Sequence, residues 1–455
     1  MILEPGNREQ FRNKTIAVIG AARSGLAAAE VLQNLGARVR IYDNRSADDL
    51  IGEIQAVNAL GLTPRIGNTP INYDELDLIV TSPGVRKSSP VLLEGLEHGV
   101  KIVSEIEIAY QVAEAPILAV TGTNGKTTTT VLLAEMLRAS GFQTWLGGNV
   151  AAGDLSMPLV SAAIAAPKSG AIAAEISSFQ LEWIADFRPK VAALLPITAD
   201  HEDRQSPEEY ALAKWRIFEN QDETDYAIIT RAFEGSPRLS GVHSDVRFFG
   251  VHDTMDDLND YISPQLVKLP GRHNLENILC AAMMADAFGA QHSAINTVAS
   301  EFKGVVHRLE YVTEIDGVRY INNSMCTNLD AFEKSLEAVP ESKVLIVGGV
   351  FKGSNLVPLV RSVIENNVRE AILIGRSGPA IAEALTHASF THFKMADSLT
   401  DAVELSRQAA RTGDVVMLAP ACASFDWFKD FEDRGNQFKA AVLAQLSRRI
   451  SGDQT

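Results

Sequence analysis

A short strand, a glycine-containing loop and a helix follow one another near the middle of the chain. The strand is Ile117-Leu-Ala-Val120, four apolar residues of the kind that form a buried strand. The loop Thr121-Gly-Thr-Asn-Gly-Lys-Thr127 comes next, and apolar residues then recur at helical spacing. Glycines let the backbone N–H groups of such a loop surround an anion, and the helix N-terminus adds partial positive charge. The stretch therefore predicts a phosphate-binding loop.

Two side chains of this loop suit a nucleoside triphosphate. Lys126 is placed to reach the β- and γ-phosphates, and the Thr127 hydroxyl is placed to hold Mg²⁺. The usual pattern has a glycine where this chain has Val120, so the loop is a variant, and an ordinary strand-to-helix turn is the alternative. The predicted nucleotide-binding residues are Gly122, Thr123, Asn124, Gly125, Lys126, Thr127 and Thr128.

Length and composition favour a multidomain protein without membrane segments. A chain of 455 residues is too long to fold around a single hydrophobic core, so about two to four domains are expected. The net charge of −16 argues against a nucleic-acid partner, which requires a basic surface. Three widely spaced cysteines predict neither a disulfide framework nor a zinc site. With no signal peptide and no apolar stretch of membrane-spanning length, we expect a cytoplasmic protein, and we predict that it acts as a monomer.

The N-terminal part of the chain begins as a doubly wound α/β unit. Residues 14–20 are predicted as a strand, 21–25 as a turn into a helix, and 39–43 as the next strand. Ala22 occupies the position of the second glycine of the dinucleotide fingerprint, which disfavours NAD because the pyrophosphate needs close approach there. A nucleotide-sugar diphosphate remains the alternative ligand. Ser82-Pro-Gly84 ends a later strand, at the edge where such sheets bind ligands.

Polar groups follow two further predicted strands in the middle of the chain. One strand ends at Glu175, and the next, residues 191–196, is followed by Asp200 and His201. Mg²⁺ prefers oxygen ligands, of which a protein often supplies one or two. Glu175 and Thr127 are therefore the predicted ligands, and His201 is a candidate functional residue. The alternatives are a surface carboxylate at a strand end and a structural histidine.

Three buried-strand patterns in the C-terminal part alternate with helical runs, at residues 343–349, 370–375 and 414–419. Such alternation predicts a mostly parallel sheet. The predicted fold class is α/β with three domains: a Rossmann-like N-terminal domain, a central P-loop ATPase-type domain with a parallel sheet, and a Rossmann-like C-terminal domain. The predicted boundaries are 1–104, 105–304 and 305–455.

Several motifs of the chain resemble those of the Mur ligase family. The resemblance runs from residue 16 to residue 438, nearly the whole chain. Its C-terminal part is similar to the glutamate-adding branch of the family. The motifs that carry it lie at residues 121–127, 175–182, 200–204, 210–217, 269–277, 307–308 and 420–435.

The resemblance implies an ATP-dependent ligase that forms an amide bond. In this family the first domain binds the UDP-sugar, the second binds ATP and Mg²⁺, and the third binds the incoming amino acid. ATP phosphorylates the substrate carboxylate, and the amine then displaces phosphate from the acyl phosphate. The implied reaction adds D-glutamate to UDP-N-acetylmuramoyl-L-alanine in cytoplasmic peptidoglycan precursor synthesis. Such phosphoryl transfer depends mostly on positioning and charge neutralisation.

The resemblance also assigns roles to individual residues. The implied catalytic residues are Lys126, Glu175, His201 and Lys214. Two Mg²⁺ ions would be held by Thr127, Glu175, His201 and Lys214. Lys214 matches a lysine that is carbamylated in this family, which turns a cation into an anion that helps to hold metal. The implied nucleotide contacts are Asn274, Asn277, Arg308 and Asn323. The implied substrate contacts are Ser24, Asp43, Asn44, Arg45, Gly84, Asn149, Thr327, Lys352, Ser424 and Phe431.

The chain departs from the family pattern at several places. Asn323 replaces an aspartate that binds ribose, and Met325 replaces a lysine near the phosphates. Val350-Phe351 replaces a turn that contains an aspartate, and Pro196 replaces an asparagine. Two alternatives therefore stay open: the same ligase chemistry with L-glutamate or another acidic amino acid, and a weakly active homologue that serves as a binding scaffold.

Overall fold

The computed structural model describes residues 3–47, 50–150, 156–198, 205–250, 261–262, 267, 272–302, 304–327, 329–351 and 356–452. The chain divides into two compact units, Met1–Phe302 and Lys303–Thr455. In the described residues the first unit contains two sheets and the second unit one. This confirms the α/β fold with three sheets. Each helix in the described ranges is too short or too polar to cross a bilayer.

Five strands and four helices build the N-terminal part of the first unit: β1 Thr15–Ile19, β2 Arg38–Asp43, β3 Arg65–Ile66, β4 Leu78–Thr81, β5 Ile102–Ser104, α1 Arg23–Asn34, α2 Ile51–Ala59, α3 Pro90–Glu97 and α4 Glu105–Val112. The strands are parallel, in the order β3-β2-β1-β4-β5. The chain winds outward from β1 on both sides, as the sequence predicts for a doubly wound unit. Sheets of this order bind ligands at the strand ends where the winding reverses, so we expect a ligand crevice at the carboxyl ends of β1 and β4.

A seven-stranded parallel sheet forms the rest of the first unit. Its elements are β6 Ile117–Thr121, β7 Thr144–Gly148, β8 Ser156–Met157, β9 Ala171–Glu175, β10 Val191–Leu194, β11 Tyr226–Thr230, β12 Asp245–Phe249, α5 Lys126–Ala139, α6 Leu159–Ala165, α7 Ser178–Leu181, α8 Pro207–Trp215, α9 Arg272–Phe288 and α10 His292–Glu301. The order β12-β11-β10-β6-β9-β7-β8 places β6 between β10 and β9. Because neighbouring strands are parallel, the polar groups that follow β6 and β9 meet at one edge of the sheet.

The central strands of this sheet are unbroken apolar runs because helices cover both of its faces. Every residue of β6 and of β9 is buried. This confirms the buried strand predicted at residues 117–120. Short 3₁₀ helices complete the first unit at Arg8–Phe11, Tyr73–Glu75, Arg216–Phe218, Arg231–Phe233 and Pro237–Gly241.

The second unit is built around a six-stranded sheet. Its elements are β13 Glu310–Ile315, β14 Val318–Asn322, β15 Lys343–Gly348, β16 Val368–Ile374, β17 Phe393–Met395, β18 Val415–Leu418, α11 Leu329–Glu337, α12 Val357–Glu365, α13 Gly378–His387, α14 Leu399–Ala409 and α15 Phe431–Gly452. The strand order is β13-β14-β18-β15-β16-β17. The three predicted strands, now β15, β16 and β18, pair in parallel, as expected.

An antiparallel hairpin of β13 and β14 is the part of this sheet that the strand patterns do not predict. Most residues of β13 are exposed or only partly buried, so the strand is not an apolar run. The turn between the two strands is an Asp-Gly pair, which is a sequence signal for a hairpin. In the structure Asp316 and Gly317 have φ angles of 58° and 71°. An Asp-Gly pair with two positive φ angles is typical of a two-residue hairpin turn.

Candidate active site

The loop between β6 and α5 adopts a conformation that requires its two glycines. Gly122 has a φ of 146°, and Gly125, at the start of the helix, has a φ of 83°. A β-carbon on Gly125 would lie 2.1 Å from Asn277 Oδ1, and one on Gly122 would lie 2.5 Å from the β-carbon of Leu195. Both positions therefore need glycine for its backbone freedom and for space. The loop wraps the N-terminus of a 14-residue helix, where backbone N–H groups attract phosphate.

We expect Gly125→Ala to weaken ATP binding by about tenfold or more, because the added methyl group must displace Asn277 and the loop. Gly141→Ala is the matched control, because Gly141 has a φ of 93° but open space where a β-carbon would stand. The control adds backbone strain alone and should bind ATP like the parent. Titration with a fluorescent ATP analogue measures both affinities. Equal affinities in the two variants would contradict a phosphate-binding role for the loop.

Thr123 and Lys126 connect the loop to its surroundings. Thr123 Oγ1 accepts a hydrogen bond from Thr198 N at 3.0 Å and lies 3.3 Å from the Tyr210 hydroxyl. Lys126 Nζ donates to Thr123 O at 2.8 Å, so its ammonium group lies over the loop. A cation in this position suits the β- and γ-phosphates of a nucleotide.

Thr127 and Glu175, the predicted Mg²⁺ ligands, are in contact. Thr127 Oγ1 donates to Glu175 Oε2 at 2.7 Å, and Asn149 Nδ2 donates to Glu175 Oε1 at 3.3 Å. Glu175 is 3% exposed, and a buried carboxylate with hydroxyl and amide neighbours fits a hard cation that takes oxygen ligands. Within the described ranges His, Cys, Asp and Glu form no cluster of three. His201 lies outside the described residues.

Lys214 lies against the same loop. Helix α8, which carries it, begins with Ser206 as the N-cap and Pro207 in the first turn, as the sequence predicts. Ser206 and Glu209 form a reciprocal capping box. Lys214 is 1% exposed, donates from Nζ to Gly122 O at 2.7 Å, and stands 4.3 Å from the centre of the Tyr210 ring. The fold therefore buries a lysine directly beneath the phosphate loop.

Helix α9 brings the predicted nucleotide residue Asn277 to the loop. Asn277 is buried, and its Oδ1 accepts a hydrogen bond from Thr129 Oγ1 at 3.4 Å. Asn274 precedes it by one helical turn, so the two amides share one face of the helix. The loop, α5 and α9 therefore form one contiguous surface.

In the N-terminal crevice, Asp43 and Arg45 bind each other. Asp43 Oδ2 accepts from the backbone N–H of Ala21 at 2.9 Å, and Arg45 donates from Nε and Nη2 to the two carboxylate oxygens at 3.0 and 2.8 Å. Burial would raise the pKa of Asp43, but the hydrogen bonds from Arg45 and Ala21 outweigh it and lower the pKa. Asp43 thus holds the turn after β1 and orients Arg45, whose side chain remains 43% exposed.

The other predicted contacts of this crevice lie around the carboxyl ends of β1, β2 and β4. Ser24 is on the first turn of α1, Asn44 is exposed directly after β2, and Gly84 follows β4. Ser82 Oγ donates to Gly20 O at 3.1 Å, which joins the ends of β1 and β4. These residues occupy the position in which doubly wound sheets bind ligands.

In the second unit, a buried arginine connects three segments. Arg434 is 0% exposed and donates to Ser324 O at 2.8 Å, to Ser324 Oγ at 3.0 Å and to Cys422 O at 3.0 Å. Ser324 Oγ donates in turn to Phe431 O at 2.6 Å. Burial lowers the pKa of Arg434 to about 10, so it stays charged near neutral pH. The three segments carry the predicted substrate residues Thr327, Ser424 and Phe431.

The turn that carries Arg308 is held by a residue that departs from the family pattern. His307 and Leu309 have φ angles of 66° and 45°, which are uncommon for residues other than glycine. Asn323 Oδ1 accepts from Leu309 N at 3.1 Å, and Met325 N donates to His307 O at 3.1 Å. Asn323 therefore supports this turn. Lys352 lies outside the described residues.

The structure thus gathers the predicted residues of the first unit into two groups, one at the phosphate loop and one at the crevice after β1. The residues that it brings together at the loop are Gly122, Thr123, Gly125, Lys126, Thr127, Asn149, Glu175, Lys214 and Asn277. Sequence reasoning gave Arg434 no role, although the motif at residues 420–435 includes it. Its complete burial is a tertiary feature.

Comparison with known protein families covers most of the chain. The family profile described as "Mur ligase MurD-like, N-terminal domain" matches residues 14–104. The profile "Mur ligase middle domain" matches residues 120–285, and "Mur ligase, glutamate ligase domain" matches residues 307–422.

Solved structures support the fold. The UDP-N-acetylmuramate-alanine ligase of Thermotoga maritima aligns with a TM-score of 0.53 at 18% identity, covering 95% of this chain and 100% of that one. FolC from E. coli, in complex with ADP, aligns with a TM-score of 0.51 at 18% identity, covering 76% and 93%.

Curated relatives are similar over nearly their full length. A UDP-N-acetylmuramoylalanine–D-glutamate ligase from Pelotomaculum thermopropionicum is 40% identical, over 96% of this chain and 99% of the relative. The protein of the same name from Trichlorobacter lovleyi is 39% identical, over 95% and 99%. With identity at this level across the phosphate loop, the crevice and the second unit, the chain belongs to the Mur ligase family.

Proposed function

We propose that this ligase adds D-glutamate to UDP-N-acetylmuramoyl-L-alanine at the expense of ATP, as the names of its relatives indicate for them. The observation that carries the proposal is the contact of Thr127 with the buried Glu175, beside a lysine on a phosphate-type loop. These groups suit phosphoryl transfer from ATP to the carboxylate of the UDP-sugar. The three cysteines are free thiols and buried, which fits the reducing cytoplasm in which these substrates would be used.

The residues of the loop give the first step its physical basis. Lys126 and the backbone N–H groups of the loop neutralise charge on the transferred phosphate, which is the main task of the protein in such a reaction. Mg²⁺, when bound, shields the phosphate oxygens, and Thr127 and Glu175 are the described residues that would hold it. The resulting acyl phosphate is attacked by the amine of D-glutamate, and phosphate leaves.

Lys214 supports a more detailed proposal. We infer that its amine is carbamylated and that the carbamate, with His201, helps to hold a second Mg²⁺. The burial of Lys214 beside the loop supports this, because desolvation favours the neutral amine that reacts with CO₂. The carbamate would then place an anion where Lys214 Nζ now donates to Gly122 O.

The substrates are proposed to divide among three regions with boundaries at 1–104, 105–304 and 305–455. The UDP-sugar would bind the crevice after β1, where the partly exposed Arg45 offers a cation to phosphate. The glutamate would bind in the second unit, near Thr327, Ser424 and Phe431. The nucleotide contacts that the resemblance implies for Arg308 and Asn323 would also lie in the second unit.

The proposal is tested by phosphate release and by mass-spectrometric detection of the product. The purified protein is given ATP, Mg²⁺ and UDP-N-acetylmuramoyl-L-alanine, with D-glutamate, L-glutamate, D-aspartate or no amino acid. We expect D-glutamate to support turnover at least about tenfold better than the other acids. Preference for L-glutamate would overturn the acceptor, and nucleotide binding without product in every arm would favour a binding scaffold.

A further inference from the structure

Glu310, the first residue of β13, accepts hydrogen bonds from three different segments of the second unit. Its Oε2 atom accepts from the backbone N–H of His307 at 2.9 Å and from Asn322 Nδ2 at 2.9 Å. Its Oε1 atom accepts from Lys439 Nζ at 3.0 Å. The three donors belong to the turn before β13, to the end of β14 and to helix α15. One carboxylate therefore joins this turn to a strand end and to a helix.

The register of the β13–β14 hairpin brings the carboxylate and the amide together. Glu310 and Asn322 are direct partners in the antiparallel pairing, so their side chains lie on the same face of the sheet. Asn322 is fully buried, and the side chain of Glu310 is only 20% exposed. A carboxylate so far withdrawn from water needs donors and a positive charge, and Lys439 supplies the charge.

The His307 imidazole belongs to the same network. Asn322 Nδ2 donates to His307 Nδ1 at 2.9 Å, so this ring nitrogen is the acceptor and the neutral ring carries its proton on Nε2. A β-carbon on Gly435 would lie 2.2 Å from His307 Nδ1, so helix α15 packs directly against the imidazole. The ring also meets the Phe431 ring edge to face, with 6.2 Å between the ring centres. The turn is therefore fixed through its backbone and through a side chain.

The turn that this network holds carries Arg308 between two residues of left-handed conformation. A positive φ at a residue other than glycine, as at His307 and Leu309, persists only where the surroundings impose it. Glu310 binds the N–H of His307, and Asn323 Oδ1 binds the N–H of Leu309 at 3.1 Å. The backbone is thus held on both sides of Arg308, whose side chain is only partly buried.

The turn lies at the carboxyl edge of the sheet of the second unit. Asn322 ends β14, which runs parallel to β18, and open α/β sheets bind their ligands outside the carboxyl ends of the strands. A guanidinium group at this edge suits a phosphate, because its N–H groups form charge-assisted hydrogen bonds. The network therefore sets the position of a cation at the edge where a ligand is expected.

We propose that Glu310 is a positioning residue, which holds the turn at residues 307–309 so that Arg308 meets the nucleotide. The role rests on the proposed function, because it concerns the nucleotide contact proposed for Arg308. Glu310 acts through the backbone of the turn, which its bond to the His307 N–H fixes. Asn322 and Lys439 in turn hold the carboxylate in the orientation that this bond requires.

Glu310→Gln keeps the size of the side chain but replaces one acceptor oxygen by an N–H₂ group. All three partners are donors, so this group must face a donor at one of its two positions. The turn should lose its fixed conformation, and we expect ATP to bind about tenfold more weakly. Asp414→Asn is the matched control, because Asp414 is a buried carboxylate that accepts from Arg369 at the amino edge of the same sheet. It should lower thermal stability but bind ATP like the parent.

A double-mutant cycle with Arg308→Ala separates positioning from general stabilisation. Arg308→Ala should itself weaken ATP binding by about tenfold. If Glu310 acts through Arg308, Glu310→Gln should weaken binding no further in the Arg308→Ala background, whereas independent effects would multiply to about a hundredfold. Equilibrium titration with a fluorescent ATP analogue, well below the unfolding temperature of each variant, measures the affinities.

Lys439→Met is a second variant, which should fold because the Lys439 side chain is 25% exposed. It removes one of the three donors and should weaken ATP binding by about threefold. Lys439→Arg, whose guanidinium can donate to the same oxygen, should bind ATP like the parent. Parent-like affinity in a folded Glu310→Gln, or multiplying losses in the cycle, would overturn the positioning role. If Glu310→Gln does not fold, parent-like affinity in Lys439→Met would overturn it.

The titrations contain neither the UDP-sugar nor D-glutamate, which keeps this test separate from the proposed function. If the parent binds ATP but forms no product with D-glutamate, the proposed reaction fails, and non-additive losses in the cycle still support the positioning role. If Arg308→Ala binds ATP like the parent, the positioning role is overturned, and product formation still decides the proposed reaction.

Discussion

Lys126→Ala should abolish phosphate release from ATP, with a loss of about 10²- to 10³-fold or more. The ammonium group lies over the loop, 2.8 Å from Thr123 O, and is the cation best placed in the described part of the loop to neutralise the transferred phosphate. Its removal leaves charge that develops during transfer uncompensated. The fold should remain intact, because Lys126 Nζ donates to a backbone carbonyl of the same loop, three residues away.

Three measurements define this result. Turnover gives the loss of activity, circular dichroism and thermal unfolding report the fold, and titration with a nucleotide analogue separates binding from chemistry. Lys168→Ala, at an exposed position of the same unit, is the matched control and should retain full activity. Activity of Lys126→Ala within a few-fold of the parent would rule out the assigned role of this lysine.

Lys214→Ala should be nearly inactive, by about 10²-fold or more, and partly rescued by added formate or acetate. If Lys214 acts as a carbamate, it supplies an anion close to the phosphate loop, and a small carboxylate can occupy the space that the substitution opens. Lys214 is buried and donates to Gly122 O, so the space that the substitution opens lies beside the phosphate loop.

The matched control for rescue is Lys126→Ala, which is also expected to be inactive but lacks a cation, not an anion. Formate should restore activity to Lys214→Ala and leave Lys126→Ala unchanged. Rescue of neither variant, together with normal thermal stability of both, would argue against the carbamate. Near-normal activity of Lys214→Ala without any additive would exclude it outright.

Local sequence patterns predict the elements of the first unit well. The features of the phosphate loop act through the backbone and through neighbours a few residues away. These features are the apolar run 117–120, the glycines at 122 and 125, and the lysine at 126. The same holds for the capping box of α8, where Ser206 and Glu209 satisfy each other's N–H groups. Such features depend on local conformation, so they can be predicted from the sequence alone. The hairpin of β13 and β14 follows the same rule, since its Asp-Gly turn is a local signal.

Asp43 and Asn323 make contacts in the folded chain that their local sequence does not predict. The resemblance predicts that both contact ligands, and the structure shows the contacts that they make within the protein: Asp43 holds Arg45 and the N–H of Ala21, and Asn323 supports the turn at Leu309. Their side chains satisfy buried backbone groups, which is a common use of such residues. Which partner a short polar side chain meets depends on the path of the neighbouring segments.

The sequence alone determined the family and most of the order of strands and helices along the chain, and it predicted the phosphate loop and the reactive groups. Only the tertiary structure decided which groups meet. Thr127 reaches Glu175 because β6 and β9 are neighbours in the sheet, and Lys214 reaches Gly122 across 92 positions of sequence. Burial likewise decided the setting of Arg434. The physical reason is that hydrogen bonding and desolvation depend on distances between segments, which strand order and helix packing set and no local pattern contains.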